Sequence, residues 1–210
     1  MDNTSKIQSI YRMYHIKNKI LIPSACYQTK IWRQNQIWYK NGKSNECEKY
    51  QINLIEKIIK HKLTKTDDRI NMESCQIINK KHPNINNDGY EYIENFDGKI
   101  ILNNNIYYFN LKFVCDSGGA QTRTLREVYH FIKYQMEYLL IFKITNTYFI
   151  NILDGDTSHS NMNKFNYLIN KEKYITILKY IFVGNLAEFQ NSHLSNINKK
   201  NNHLYNIKII

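Results

Sequence analysis

One apolar segment, residues 106–114 with the sequence IYYFNLKFV, limits the possible folds of this chain most strongly. Its aromatic and β-branched residues are typical of an inner strand that is buried on both faces. Lys112 lies inside this segment, and a buried lysine is unfavourable unless an acidic partner or a bound anion neutralises it. The segment therefore predicts a central strand with a polar site, although Lys112 on an exposed sheet face could also extend to water.

The segments around this strand predict an α/β fold with a mixed β-sheet flanked by helices. A helix is predicted over 46–62 because Tyr50, Leu54, Ile55, Ile58 and Ile59 share one face. Residues 64–88 are polar and predict a loop with at most a short helix. The remaining predictions are strands over 90–96 and 99–102, a hairpin turn at 103–105, a helix over 124–140, one or two strands within 141–152, a helix over 165–169 and a strand over 179–183.

The chain has 210 residues, which suits one α/β domain with modest extensions. Three regions are predicted. Residues 1–45 form a polar and aromatic N-terminal extension, residues 46–190 form the core, and residues 191–210 form a loosely ordered tail rich in Asn and Lys. The aromatic residues of the extension could grip nucleic acid or cover a small core, and packing is the commoner role.

The chain is strongly basic, with 29 Lys and Arg against 18 Asp and Glu and a formal net charge of +11. Such a balance favours polyanionic partners such as nucleic acid, although a coding bias toward Lys could supply the same surplus as solvated surface. No apolar run approaches the length of about 18 residues that a membrane span needs. With no signal peptide and no Cys-x-x-Cys pair, a cytoplasmic protein without a zinc site or membrane partner is expected.

Asp97, Asn110 and Lys112 are the candidate catalytic residues. Asp97 lies at a turn between two predicted short strands, and Lys112 lies on the strand that follows the second of them. Asn110 is two residues before Lys112, so both side chains point to the same face. A carboxylate can hold Mg²⁺ through oxygen, and a nearby lysine can orient an attacking water and stabilise developing negative charge. This pattern is suited to phosphodiester hydrolysis.

The loop and helix after this strand carry candidate nucleic-acid contacts. Gly118 and Gly119 allow a close approach of the backbone to a ligand. The helix N-terminus that follows favours phosphate, and its polar residues suit phosphate and base edges: Gln121, Thr122, Arg123 and Arg126. The alternative is a glycine-rich turn in which the two arginines pair with Glu127 and its neighbours.

The run from Asp97 through NLK, GGAQTR and LREVYHFI resembles the core of type II restriction endonucleases of the PD-(D/E)XK nuclease superfamily. The resemblance covers about 90–188. It implies a restriction-endonuclease-like mixed β-sheet core, Mg²⁺-dependent cleavage of double-stranded DNA and a homodimer. On this resemblance Asp97 matches the first acidic position and Asn110 the second, and Lys112 matches the lysine of the motif.

Asn110 departs from that motif, which expects Asp or Glu. Asn can ligate a metal through its carbonyl oxygen but adds no negative charge, so metal affinity should fall. Another carboxylate could substitute, and Glu94, Glu91 and Glu56 are the candidates. Glu56 is included because an acidic residue from an early helix often joins the site in this superfamily. The alternative is a catalytically degenerate protein of the same fold that only binds DNA, and a third reading is a nucleic-acid-associated structural protein.

A second acidic pair, Asp154 and Asp156, occurs in LDGDTSHSN with His159 nearby. It could form a separate metal site. A strand followed by Asp-Gly is more often a turn, and turn formation is the favoured interpretation.

Overall fold

The computed structural model describes residues 13–15, 21–23, 33–37, 46–79, 92–116 and 118–195. Most of the predicted N-terminal extension and residues 196–210 of the predicted tail lie outside the described residues. Leu194 and Ser195 are buried, so the packed part of the chain extends past the predicted boundary at residue 190.

The described part of the chain contains both strands and helices. The strands are β1 (Met13–His15), β2 (Leu21–Pro23), β3 (Asp68–Asn71), β4 (Ile77–Asn79), β5 (Tyr92–Asn95), β6 (Gly98–Leu102), β7 (Asn105–Phe113), β8 (Thr147–Asp154) and β9 (Ile181–Gly184). The α-helices are α1 (Glu46–Ile59), α2 (Gly119–Phe142), α3 (Asp156–Ser160), α4 (Met162–Ile169) and α5 (Leu186–Asn191), and 3₁₀ helices lie at Glu172–Tyr180 and His193–Ser195.

The central sheet has the strand order β6-β7-β8-β9. Strand β6 is antiparallel to β7, whereas β8 is parallel to both β7 and β9. Helix α2 makes the crossover between the parallel strands β7 and β8, as parallel pairing requires. The predicted mixed sheet with flanking helices is therefore confirmed, and the apolar segment that contains Lys112 is an inner strand.

Apolar side chains pack on both faces of this sheet. On one face, α2, α4 and the Glu172–Tyr180 helix cover a cluster that includes Phe149 and Leu153. On the other face, α1 and α5 cover a cluster that includes Ile150 and Ile152. The predicted inner face of α1 is largely confirmed, because Leu54, Ile55 and Ile59 are buried. The buried face of α2 consists of Leu125, Val128, Phe131, Ile132, Gln135, Met136 and Leu139.

The prediction of a loop over 64–88 is wrong for its first part, where β3 and β4 form a second sheet with β5. The physical reason is a set of nonlocal contacts around the buried carboxylate of Asp68. It accepts hydrogen bonds from Lys99 Nζ at 2.7 Å, Asn79 Nδ2 at 2.7 Å and the Tyr108 hydroxyl at 3.0 Å. Burial alone would raise the pKa of Asp68, but the hydrogen bonds from Lys99, Asn79 and Thr66 hold it below its ordinary value.

The other boundaries differ from the predictions by a few residues. The hairpin at 103–105 is confirmed, with left-handed φ values of 51° at Asn103 and 64° at Asn104. Helix α1 ends earlier than predicted, because Lys60 also has a left-handed φ of 59°. Helix α2 begins at Gly119 rather than near residue 124, so much of the predicted glycine-rich loop is helical. Within the described residues, no helix is long and apolar enough to cross a membrane.

The turn at Gly155 fixes the carboxyl end of β7 to β8. Val114 N–H donates to Asp154 O at 2.9 Å, and Val114 O accepts from Thr157 N–H at 3.2 Å. Gly155 has a φ of 105°, and a Cβ built there would lie 2.1 Å from Val114 O. Only glycine fits this close approach without strain.

We therefore expect Gly155→Ala to lower the free energy of unfolding by about 3 kcal/mol or more. The matched control is Gly119→Ala, because a Cβ there meets nothing within 4 Å and the residue is helical. The control should be neutral or more stable by about 0.5–1 kcal/mol. Urea denaturation measures both, and equal effects of the two substitutions would contradict this account of the turn.

Candidate functional site

The carboxylate of Asp97 is held against strand β7. The backbone N–H of Asp97 donates to Phe109 O at 2.9 Å, and its Oδ2 accepts from the backbone N–H of Leu111 at 2.6 Å. Asp97 immediately precedes β6, so the antiparallel pairing of β6 with β7 places it beside the residues that precede the carboxyl end of β7. One of these residues is Lys112.

Lys112 and Glu94 form an ion pair next to Asp97. The ammonium of Lys112 donates to the carboxylate of Glu94, which projects from β5. The Lys112 side chain is only 18% exposed, whereas that of Glu94 is 51% exposed. The charge of Lys112 also acts on Asp97 and lowers its pKa. The structure thus brings together Asp97, Lys112 and Glu94, three of the residues that the sequence singled out.

Asp97 has a raised pKa despite these favourable contacts. Burial is the largest cause, and the nearby carboxylates of Glu48 and Glu94 act in the same direction. The charge of Lys112 and the hydrogen bond from Leu111 oppose them, and the net result is a pKa of about 6. A buried carboxylate crowded by other carboxylates is typical of a site that binds a cation or moves a proton.

Glu48 is the member of this cluster that the sequence analysis missed. It lies in the first turn of α1 and is exposed. The predicted contributor from the same helix was Glu56, and the structure does not bring it to this cluster. Glu56 instead accepts from Lys62 Nζ at 2.6 Å and from the backbone N–H of Leu63 at 2.9 Å, at the opposite end of α1. Glu91 lies outside the described residues.

Asn110, the expected second metal ligand, is 1% exposed and belongs to a buried amide network. Its Nδ2 donates to Asn151 Oδ1 at 3.0 Å, and Asn151 exchanges two further hydrogen bonds with Gln135 on α2. The amide oxygen of Asn110, which would face a metal, is buried and has no hydrogen-bond partner. The Asn110 side chain is therefore largely committed to the core.

The second acidic pair does not form a metal cluster. Asp154 is buried at the end of β8 and accepts from Gln51 Nε2 at 2.8 Å and from the backbone N–H of Leu186 at 3.1 Å. Burial outweighs these hydrogen bonds and raises its pKa to about 6. Asp156 Oδ1 accepts from Thr157 N–H within its own helix, and His159 is exposed. These contacts agree with the favoured interpretation of a turn.

Gln51 connects Asp154 to the cluster of Asp97, Lys112 and Glu94. Its Nε2 donates both to the Asp154 carboxylate and to the backbone carbonyl of Lys112, at 3.1 Å. This contact places the N-terminal half of α1 over the carboxyl ends of β7 and β8. The position of Glu48 beside Asp97 follows from the same contact, because Glu48 is one turn before Gln51 on α1.

The candidate nucleic-acid contacts lie in the first two turns of α2. Gly118 is the residue before the helix and Gly119 is its first residue. The Thr122 hydroxyl donates to Gly118 O at 3.2 Å, and Gln121 Oε1 lies so close to Gly118 that a Cβ there would be 2.8 Å away. The side chains of Arg123 and Arg126 are exposed. The structure describes no ion pair between either arginine and Glu127, which was the alternative.

The acidic side chains near Lys112 are the candidate ligands for Mg²⁺, which binds oxygen atoms. Among the described residues, no three acidic, histidine or cysteine side chains are grouped closely enough to hold a metal by themselves. Mg²⁺ at a phosphate-transfer site takes only one or two protein carboxylates and completes its shell with water and substrate phosphate. Asp97 and Glu94, with Glu48 nearby, fit that smaller requirement.

Comparisons of the chain with models of protein families, with curated proteins and with solved structures found no match. The geometry of the described residues therefore carries the functional argument.

The raised pKa of Asp97 gives a testable dependence of stability on pH. The folded state holds a proton on Asp97 more tightly than the unfolded state, whose pKa is near the ordinary value of 3.8. Asp97 therefore contributes to the stability of the folded state at low pH, and this contribution is lost as the pH rises toward about 6. In EDTA, Asp97→Asn should be more stable than the original protein at pH 8, by about 1–2 kcal/mol.

The gain should shrink at pH 5, where the original Asp97 carboxyl is largely protonated in the folded state. Urea denaturation of both proteins at the two pH values measures the difference. Glu127→Gln, which removes an exposed carboxylate from α2, is the control. A gain for Asp97→Asn that is the same at both pH values would contradict the assignment.

Proposed function

We propose that this protein is a Mg²⁺-dependent endonuclease that hydrolyses phosphodiester bonds of double-stranded DNA, as type II restriction enzymes do. The observation that carries the proposal is the cluster of Asp97, Lys112 and Glu94 at neighbouring strands. It joins a half-buried carboxylate with a raised pKa, a largely buried ammonium and a second carboxylate. Such an arrangement suits metal-assisted attack on a phosphate.

The architecture supports the finer proposal of a restriction-endonuclease-like core. Asp97 stands at the start of a strand, and the next strand along the chain carries Lys112. The helix α2 follows directly and leads to β8, which is parallel to β7. The helix α1 precedes the sheet and supplies an acidic residue, Glu48. These are the features that the resemblance implies, apart from the Asn at position 110.

The residues have separate roles in this proposal. Asp97 and Glu94 would hold Mg²⁺, with Glu48 adding negative charge, and the bound ion would polarise the phosphate and lower the pKa of a water molecule. Lys112 donates a hydrogen bond to the attacking water or to the phosphate as negative charge develops. The ion pair with Glu94 holds the Lys112 ammonium next to Asp97.

The exposed polar side chains of α2 are the proposed DNA contacts. Arg123 and Arg126 can pair with phosphate or with guanine edges, and Gln121 can hydrogen-bond adenine. Helix α2 begins seven residues after Lys112, so its N-terminus lies close in sequence to the carboxyl end of β7. The net charge of +11 favours the approach of DNA to this surface.

A second candidate function is DNA binding without cleavage, and the burial of Asn110 favours it. The motif expects a carboxylate at this position, and here an amide is hydrogen-bonded to Asn151. If Glu94 and Glu48 do not replace the missing charge, the same fold would bind DNA and leave it intact.

A cleavage assay separates the two candidates. Purified protein is incubated with varied plasmid DNA in Mg²⁺ or Mn²⁺, and discrete fragments are expected. Asp97→Asn and Lys112→Gln should each lower the cleavage rate about a hundredfold or more. Lys57→Gln, which removes an exposed charge from α1, is the control and should cut as the original protein does.

Cleavage that persists in both site variants would overturn the assignment of the site. Salt-sensitive binding to DNA without cleavage by the original protein would favour the degenerate binding module.

A further inference from the structure

A pocket of about 480 Å³ opens between helix α2 and helix α4. Its lining residues do not include Asp97, Lys112 or Glu94. Its volume falls within the range of roughly 300–1,000 Å³ that is typical of small-ligand sites. Arg126 and Tyr129 line it from α2, and Lys164, Phe165 and Tyr167 line it from α4.

Aromatic rings form the apolar part of this pocket. Phe165 is 1% exposed and forms the floor, and the ring of Tyr129 lies 6.1 Å from it between centroids. Tyr167 is 69% exposed, which is unusual for so large a ring. The Lys171 ammonium lies 5.1 Å from the Tyr167 ring centroid and adds positive charge at this edge. Rings that border a pocket offer flat surfaces on which a planar aromatic ligand can stack.

The polar part of the pocket is positively charged. Arg126 and Lys164 are both exposed, and none of the described residues that line the pocket is acidic. Lys164 Nζ donates to Asn161 Oδ1 at 2.7 Å, which holds its ammonium at the pocket. Among the described side chains, none forms an ion pair with Arg126. A guanidinium that forms no ion pair within the described part of the chain, next to a held ammonium, suits a phosphate group.

We propose that this pocket binds a single nucleotide, whose base packs against Tyr129 and Tyr167 and whose phosphate pairs with Arg126 and Lys164. A phosphate alone would use the cations but not the rings, and an uncharged aromatic ligand would use the rings but not the cations. The nucleotide is either free or a unit of DNA that is unstacked from its neighbours. The second case rests on the proposed function.

Isothermal titration calorimetry with the full-length protein tests the proposal. The four deoxynucleoside monophosphates are titrated in EDTA, with inorganic phosphate and the matching deoxynucleosides as separate arms. Monophosphates should bind more tightly than either half of the molecule. Arg126→Gln and Tyr167→Ala should each weaken binding about tenfold, because the first removes the guanidinium that pairs with the phosphate and the second removes a ring against which the base packs.

Both pocket variants alter exposed side chains, so the fold should be retained. Lys133→Gln is the matched control, because it removes a charge from α2 outside the pocket and should leave nucleotide affinity unchanged. Competition with a short DNA duplex then identifies the source of the nucleotide. Displacement assigns the pocket to a nucleotide of DNA, and simultaneous binding of both assigns it to a free nucleotide.

Three results would overturn the proposal: no binding of any monophosphate, binding of inorganic phosphate with equal affinity, or unchanged affinity in both pocket variants. Because EDTA removes divalent ions, the test is independent of cleavage. Cleavage of DNA without binding of any mononucleotide would contradict the pocket proposal alone. Binding of mononucleotides without cleavage of DNA would contradict the nuclease proposal alone.

Discussion

The hydrogen bond from the backbone N–H of Leu111 to the carboxylate of Asp97 joins the two strands that carry the candidate site. It fixes the carboxylate on the backbone of β7, next to Lys112, rather than leaving it in solvent. The same position buries Asp97, and the loss of hydration outweighs the favourable contacts, so the pKa rises to about 6. A carboxylate held in this way is ionised at neutral pH, and its ionisation lowers the stability of the folded protein. A bound cation would restore that stability.

The surroundings of this hydrogen bond explain how distant parts of the chain reach the site. Gln51 bonds both the carbonyl of Lys112 and the carboxylate of Asp154, so it ties α1 to the ends of two parallel strands. The buried Asp154 carboxylate also accepts from the first residue of α5, so each of its two oxygens accepts a hydrogen bond within the fold. Asp154 therefore acts as a support for the site, and Asp97 remains the carboxylate available for chemistry.

The sequence could predict the convergence of Asp97 and Lys112 because both belong to one hairpin, in which local pairing decides the neighbours. It could not predict which end of α1 meets the sheet. Glu48 and Glu56 lie about two turns apart on the same helix, and only the packing of Gln51 on Lys112 selects Glu48. The sequence also could not predict the burial of Asn110, because its neighbours in the amide network, Asn151 and Gln135, come from a later strand and helix.

The strands over 68–79 were missed for a related reason. Their sequence is polar, and Asp68 in particular is rare in strands, so local preference favours a loop. The partners that stabilise Asp68 are Lys99 and Tyr108 from the central sheet, both remote in sequence. By contrast, the long helix and the apolar strands were predicted because their hydrophobic spacing repeats over many residues.

Binding of Mn²⁺ in place of Mg²⁺, measured by electron paramagnetic resonance at pH 8 without DNA, shows whether the Asp97 carboxylate holds a divalent cation. Saturable binding is expected, and it should weaken about tenfold or more in Asp97→Asn and also weaken in Glu48→Gln. Glu56→Gln, on the same helix but engaged with Lys62 and Leu63, should bind as the original protein does. Absence of Mn²⁺ binding, or an affinity that Asp97→Asn leaves unchanged, would contradict it.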